Sequence, residues 1–328
     1  MQVRVLREPE IRRLLDMDEA IEAVARALAA CAAGEVVLPG VINLDLDRFK
    51  GEVHVKSAYL KDQEHYVIKI ASGFYLNPDL GLPVGNGMML VFEARTGRLQ
   101  GLLLDNGFIT EMRTGAAGAV AARYLAKSKV RKVGLIGAGS QARYQLKALM
   151  RLRQPEEVWV WSLDKEYASA YIRDMSALYP LKFHEAASAE DAVREADIVI
   201  TVTPSRRPIV KPEWLSPGVH VTAVGSDGPG KQELETGVLA RADLIYCDSI
   251  DQCSRLGEVH HGLEEKAIGR DRLTGELGEL VLGRKKGRTR ETEISVADLT
   301  GLGAQDAAAA SLVYERAAQN DLGEKLEF

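Results

Sequence analysis

The segment Lys132-Val-Gly-Leu-Ile-Gly137-Ala-Gly139-Ser140-Gln141-Ala142 constrains this 328-residue chain more than any other. A short apolar run enters G-x-G-x-x-A and leaves it in a helical pattern, so the segment reads as strand, tight turn and helix. Gly137 permits the turn, and Gly139 lets the backbone approach a pyrophosphate. Ala142 keeps the helix close to the strand, while the helix N–H groups and dipole favour phosphate. The triplet alone carries little weight. Its place after an apolar strand, before a helix and ahead of a second strand, EVWVW, is what points to a dinucleotide. The plain alternative is a strand–helix turn that binds nothing.

Downstream, EVWVW, LKFHE, DIVITVT, HVTAV and DLIYC are apolar runs separated by helical segments. That alternation predicts a doubly wound parallel sheet. Upstream, the spacing of Ile11, Leu14, Leu15, Ile21, Val24 and Leu28 predicts helix over 8–34, stopped at Gly34. Residues 36–104 then read as strands, with RTGR as a hairpin turn, and 112–126 as an Ala- and Gly-rich helix. A last amphipathic helix is expected in QDAAAASLVYERAA, where Asp306 begins or supports the helix without a chemical role. The fold expected is α/β: a Rossmann-type doubly wound sheet inserted in an α+β domain. The boundaries expected are 1–127 plus 304–328 for the α+β domain and 128–303 for the inserted one.

With 42 Lys+Arg against 47 Asp+Glu, the net charge of −5 gives no global reason to seek nucleic acid or an anionic membrane. The run Arg284-Lys-Lys-Gly-Arg288 lacks interleaved aromatics and reads as a solvated loop. No apolar run is long enough to span a bilayer, and the charged N-terminus argues against an export signal, so the expected compartment is the cytoplasm. Three cysteines, Cys31, Cys247 and Cys253, without CxxC spacing argue against a disulfide framework and a zinc site. The adjacent pair His260–His261 is a poor metal pair, and no metal is expected. At the end of EVWVW, Asp164 suits the ribose hydroxyls of NAD, or else caps a helix. No Arg stands there for a 2′-phosphate, which favours NAD and leaves NADP open. Ser140, Gln141 and Thr203 complete the candidate cofactor-binding set with Gly137, Gly139, Ala142 and Asp164.

Several further stretches occur in a recognisable order. They are YVIKI, GLPVGNGMML, ITEMRTGAAGAVAARYLA, IGAGSQA, ADIVITVTPSRRPIV, VTAVGSDGPGKQELE, ELGELVLG and DLTGLGAQDAAAA. In this the chain resembles the ornithine cyclodeaminase/mu-crystallin family over nearly its whole length, nearest to a subgroup that includes ectoine-utilisation proteins. The resemblance implies a homodimeric NAD(P)-dependent enzyme that moves hydride between the nicotinamide and the α-carbon of a small amino or imino acid. Redox-neutral cyclodeamination of ornithine to proline is the alternative within the fold. A crystallin-like cofactor-binding protein without catalysis is the alternative outside it. The resemblance also implies that the discontinuous α+β domain binds substrate and forms the dimer.

Carried over by position, Lys69 lies beside the substrate carboxylate and reacting carbon, Arg113 clamps that carboxylate, and Asp227 handles a proton or water. The chemistry suits these types: guanidinium holds carboxylate bidentately, and a desolvated lysine can titrate near neutrality. The bland readings are a snorkelling Lys69, a capping or ion-paired Arg113, and an Asp227 that only shapes a turn. One departure stands out. Many members carry a second carboxylate-binding Arg where this chain has Val41. Strand alternation puts His54 and Lys56 on one face, so Lys56, with or without His54, is a candidate replacement, against a solvated strand face. Ser72-Gly73-Phe74-Tyr75 also departs from the polar, His-containing loop of ornithine cyclodeaminases, so the pocket need not suit a terminal amine.

Overall fold

A computed structural model describes residues 2–61 and 63–327, and these divide into two compact units, one the chain up to Arg113 together with the residues from Leu302 on, the other 114–301. The first junction falls within the helix Phe108–Leu125, earlier than the 127/128 boundary expected from sequence.

In the first unit, the helical pattern of 8–34 is broken in two, as Glu8–Leu14 and Met17–Ala32. The break follows from Asp16, which prefers to cap rather than continue a helix. Its carboxylate accepts from Glu19 N at 2.9 Å, and Glu19 returns a bond to Asp16 N at 3.2 Å. The sheet of this unit runs, among the described residues, in the order Glu324–Glu327, Gln2–Arg7, Leu99–Leu104, Gly85–Glu93, His65–Phe74, Gly51–Leu60, Val36–Val37. Ile42–Leu46 also pairs with Gly51–Leu60. The chain's last strand therefore lies against its first, an arrangement that the polar EKLE segment gives no sign of.

Alternation along these strands sorts residues into two faces. Val67, Lys69, Met89, Val91 and Leu103 are buried on one face, beneath Gly303–Gln319. That helix also packs on Met17–Ala32, where Arg316 forms a two-pronged ion pair with Glu19. Its first residue sits so near Gly51–Leu60 that a β-carbon on Gly303 would lie 2.7 Å from Ser57 O. Only glycine lets the helix start directly over that strand.

The second unit is built on a parallel sheet in the order Lys182–Glu185, Glu157–Trp161, Lys132–Ile136, Ile198–Thr201, His220–Ala223, Ser295–Asp298, Leu244–Cys247, Gly275–Glu276. Its central strands are buried on both faces, as such sheets require, by Val133, Leu135, Ile198, Val199, Val221 and Val296. The order steps outward in both directions from Lys132–Ile136 and Ile198–Thr201, which leaves a crevice beyond their carboxyl ends.

One surface reading needs correction. Arg284, Lys285 and Lys286 are exposed, but Arg288 is half-buried. Its guanidinium donates to Leu125 O at 2.7 Å and to Ser295 Oγ at 3.1 Å, tying the end of Phe108–Leu125 to the sheet. Arginine suits that place because its planar fork satisfies several orphan acceptors at a helix C-terminus at once.

Candidate active site

Within the first unit, antiparallel pairing sets Lys56 directly opposite Lys69, and Lys69 opposite Met89. Both lysines are buried, Lys56 6% exposed and Lys69 2%, so neither lies on a solvated or snorkelling face. Gln305 and Asp306 come from the first turn of Gly303–Gln319, above this row. Arg113 comes from Phe108–Leu125, whose start is fixed by Asp105: the carboxylate accepts from Ile109 N at 2.7 Å.

These elements converge on Asp306, itself 1% exposed. Lys69 Nζ lies 2.9 Å from Asp306 Oδ2, and Arg113 Nε donates to Asp306 Oδ1 at 2.7 Å. Arg113 Nη1 donates to Gln305 Oε1 at 3.2 Å. One carboxylate thus fixes both cations, with Arg113 engaged through Nε by Asp306 and through Nη1 by Gln305.

Burial sets the electrostatics. It lowers Lys69 to about 7; Asp306 opposes the shift, while Arg113 and Lys56 reinforce it. Burial also works against the charged form of Asp306, but Arg113, Lys69 and Lys56 outweigh it and hold the carboxyl below its ordinary range. The arrangement is a pre-set lysine able to exchange a proton near neutral pH, next to a pinned guanidinium.

Sequence reasoning gave Asp306 no chemical role, and that reading is corrected: its helix-start position delivers a carboxylate between Lys69 and Arg113. The signal available in the sequence was a lone acid set among Ala304, Ala307, Ala308, Ala309 and Ala310. His54 stands on the face of Lys56, with Nε2 3.8 Å from Glu52 Oε1, and Tyr75 donates to the same oxygen at 2.7 Å.

In the second unit Gly137 takes φ +105°, a conformation that side chains resist, and donates its N–H to Trp161 O at 2.8 Å. Gly139 is the residue before Ser140–Leu149, with no side chain capping that helix start. A β-carbon on Gly139 would meet no atom within 4 Å, so the glycine keeps open a cradle lined by helix N–H groups. Ser140, Gln141 and Ala142 form the first turn of this helix. Asp164 caps Lys165–Ser176, its Oδ1 accepting from Glu166 N at 2.8 Å, as the capping alternative holds. A carboxylate that caps through one oxygen still has a second to offer a ribose.

Thr203 follows Ile198–Thr201 and donates its N–H and hydroxyl to Glu233 Oε1 at 2.6 and 2.7 Å. Asp227 is half-exposed in the turn after His220–Ala223, with Oδ1 2.9 Å from Lys231 Nζ. His260 and His261 bind different acceptors, Ser254 O and Lys231 O. Among the described residues no group of three or more His, Cys, Asp or Glu could hold a metal ion, and no helix is long and apolar enough to cross a membrane.

The chain is similar to known proteins over nearly its whole length. An uncharacterised cyclodeaminase of Sinorhizobium fredii is 42% identical over 99% of each chain. The NAD-bound dimer of an archaeal alanine dehydrogenase is 34% identical and superposes with a TM-score of 0.92 over 100% of both chains. The Thermococcus litoralis Δ1-pyrroline-2-carboxylate reductase, in complex with NADH and L-proline, is 31% identical with a TM-score of 0.93, over 98% of this chain and 99% of that one. The pattern of the ornithine cyclodeaminase/mu-crystallin family matches residues 1–321, and the chain belongs to that family.

Proposed function

We propose that this protein is an NAD-dependent oxidoreductase that transfers hydride between the nicotinamide and the α-carbon of a small amino or imino acid. The observation that carries the reading is the buried cluster of Lys69, Asp306 and Arg113. Burial brings Lys69 to about 7 beside Asp306 and Arg113, a perturbation of the kind that acid–base sites carry. Arg113 holds the substrate carboxylate, Lys56 adds a second cation where Val41 replaces the family arginine, and Lys69 orients the carboxylate and exchanges the proton. Asp227 is the further acid–base group. The first unit is thus the substrate-binding unit and the second the dinucleotide-binding unit.

The nicotinamide, when bound, supplies or accepts the hydride. The residues that would hold it are Gly137, Gly139, Ser140, Gln141 and Ala142 at the pyrophosphate, Asp164 at the ribose, and Thr203. NADP is the alternative cofactor. The test is loss of NADH absorbance when cyclic imines, or 2-oxo acids with ammonia, are supplied with NADH. No change across such a panel, with cofactor binding measurable, would overturn the reading. The Sinorhizobium relative, an uncharacterised cyclodeaminase, supports cyclodeamination as a second reading, for which ornithine is the substrate to try. It would release ammonia with no net change in NADH.

Gly139→Asp places a side chain and a negative charge in the pyrophosphate cradle. NADH affinity, read by quenching of protein fluorescence, is expected to fall at least about 100-fold, since helix N–H groups and dipole favour the phosphates. Unchanged affinity would mean that the cofactor lies elsewhere.

We further infer a homodimer. The sheet face opposite Lys69 is apolar from strand to strand, through Ile42, Leu44, Val53, Val55, Ile70 and Met88. Ile42 is 65% exposed and Leu44 58%, which is a large apolar area for one subunit to leave in water. The archaeal relative is a dimer, which supports a second copy as the occupant. Met88→Glu sets like charges on a self-complementary surface and is expected to yield monomers in sedimentation experiments. A variant that remained dimeric would place the interface elsewhere.

A further inference from the structure

We propose that Glu233 is a positioning residue that holds Thr203 and the Gly225–Asp227 turn in register by tying together the loops after two neighbouring strands. Glu233 is completely buried on the short strand Gln232–Leu234. Its carboxylate accepts four hydrogen bonds. Oε1 takes Thr203 N at 2.6 Å and Thr203 Oγ1 at 2.7 Å. Oε2 takes Thr201 Oγ1 at 2.6 Å and Gly225 N at 2.8 Å. Thr201 ends Ile198–Thr201, and Gly225 follows His220–Ala223, its parallel neighbour.

The two loops meet closely at this carboxylate. A β-carbon on Gly225 would lie 2.1 Å from Thr203 O and 2.6 Å from the Glu233 carboxylate, so only glycine fits between them. On its other side Thr203 packs on the dinucleotide turn: its Cγ2 lies 3.0 Å from where a β-carbon of Gly137 would stand. From Gly225 the chain runs directly into Ser226 and Asp227. Ser226 Oγ donates to Lys231 O at 2.7 Å, which closes the turn that presents Asp227. Glu233 is anchored in turn by Glu258, whose carboxylate accepts Glu233 N at 2.7 Å and Leu234 N at 3.2 Å.

A carboxylate is the one side-chain group that can serve this arrangement. Two of the four donors are backbone N–H groups, Thr203 N on Oε1 and Gly225 N on Oε2, and neither can reverse its role. An amide in place of the carboxylate offers one oxygen and one NH2. Whichever way it turns, one backbone N–H faces another donor, and that loop is released. What the two loops do in the reaction rests on the hydride-transfer reading above; the tie itself does not.

Glu233→Gln therefore separates the two claims. Hydrogen exchange followed by mass spectrometry should show the peptide containing Thr203 or the one containing Gly225 exchanging about 10-fold faster or more, with Lys132–Ile136 unchanged. In steady-state assays kcat should fall about 10- to 100-fold, while KM for the amino or imino acid, whose proposed ligands belong to the other unit, stays within about threefold. If Glu233→Gln does not fold, Thr201→Val removes one donor from Oε2, and exchange at Gly225 should still rise. Wild-type exchange at both loops, or faster exchange throughout the second unit, would overturn the proposal. Should the wild-type protein transfer no hydride at all, the reaction reading fails, while the exchange result still decides the tie.

Discussion

Lys69→Met is expected to lower kcat about 1,000-fold while the protein still folds, within the range by which a positioned acid–base group accelerates a proton transfer. Methionine fills nearly the volume of the lysine stem among Met89, Val67 and Leu103, and Asp306 keeps Arg113 as its partner. NADH binding, whose proposed residues all lie in the other unit, should be unaffected.

The pH dependence gives the same residue a second signature. Lys69 is lowered to about 7, so it is protonated below that pH and neutral above it. Reduction of an imine needs a proton donor, so kcat/KM in that direction should fall as pH rises through about 7. Oxidation of the amine needs the neutral form and should rise across the same range. Lys69→Met should flatten both limbs. A variant with wild-type kcat, or one that keeps both limbs, would mean that Lys69 is a structural cation and that the proton moves elsewhere.

The second unit was the more legible of the two, and the reason is local. A Rossmann turn is written in consecutive residues: Gly137, Gly139 and Ala142 each answer a steric demand within one turn of chain. Parallel strands buried on both faces announce themselves as apolar runs. The buried cluster of Lys69, Asp306 and Arg113 is written differently. Lys69 and Arg113 stood out only through the family resemblance, because a lysine in a strand and an arginine in a helix are ordinary residues until tertiary pairing buries them.

Asp306 was harder still. It lies 193 residues from Arg113 in sequence, and a helix-start aspartate is explained well enough by capping. Only the approach of Gly303 to Ser57 O turns that first helical turn downward onto the sheet. Glu233 was hidden in the same way, within a motif whose glycines and Asp227 drew attention first. The division of helix 8–34 at Asp16 belongs to a different class. Apolar periodicity continues across the break, and only the Asp16-x-x-Glu19 capping box marks it. The pattern was therefore legible in principle, and the longer period concealed it.

Asp306→Asn should be the most destabilising of these substitutions, because it leaves two buried cations without their shared anion. Breaking a buried pair by removing one partner costs about 3–5 kcal/mol. In a chain of this size that corresponds to a fall in thermal midpoint of roughly 10 °C. The loss should also be chemical. Asp306 is the charge that opposes the lowering of Lys69, so without it the lysine should titrate lower, and the falling limb of the reduction profile should move to more acidic pH. Asparagine can accept from Arg113 Nε but cannot balance its charge, so an anionic substrate becomes a better partner for the guanidinium than it was before. KM should then change less than kcat, or fall outright. Calorimetry with a pH–rate profile decides the matter. Unchanged stability would mean that Asp306 is not the anion that the two cations share. A stability loss with an unmoved limb would mean that Asp306 holds the fold but does not set the proton affinity of Lys69.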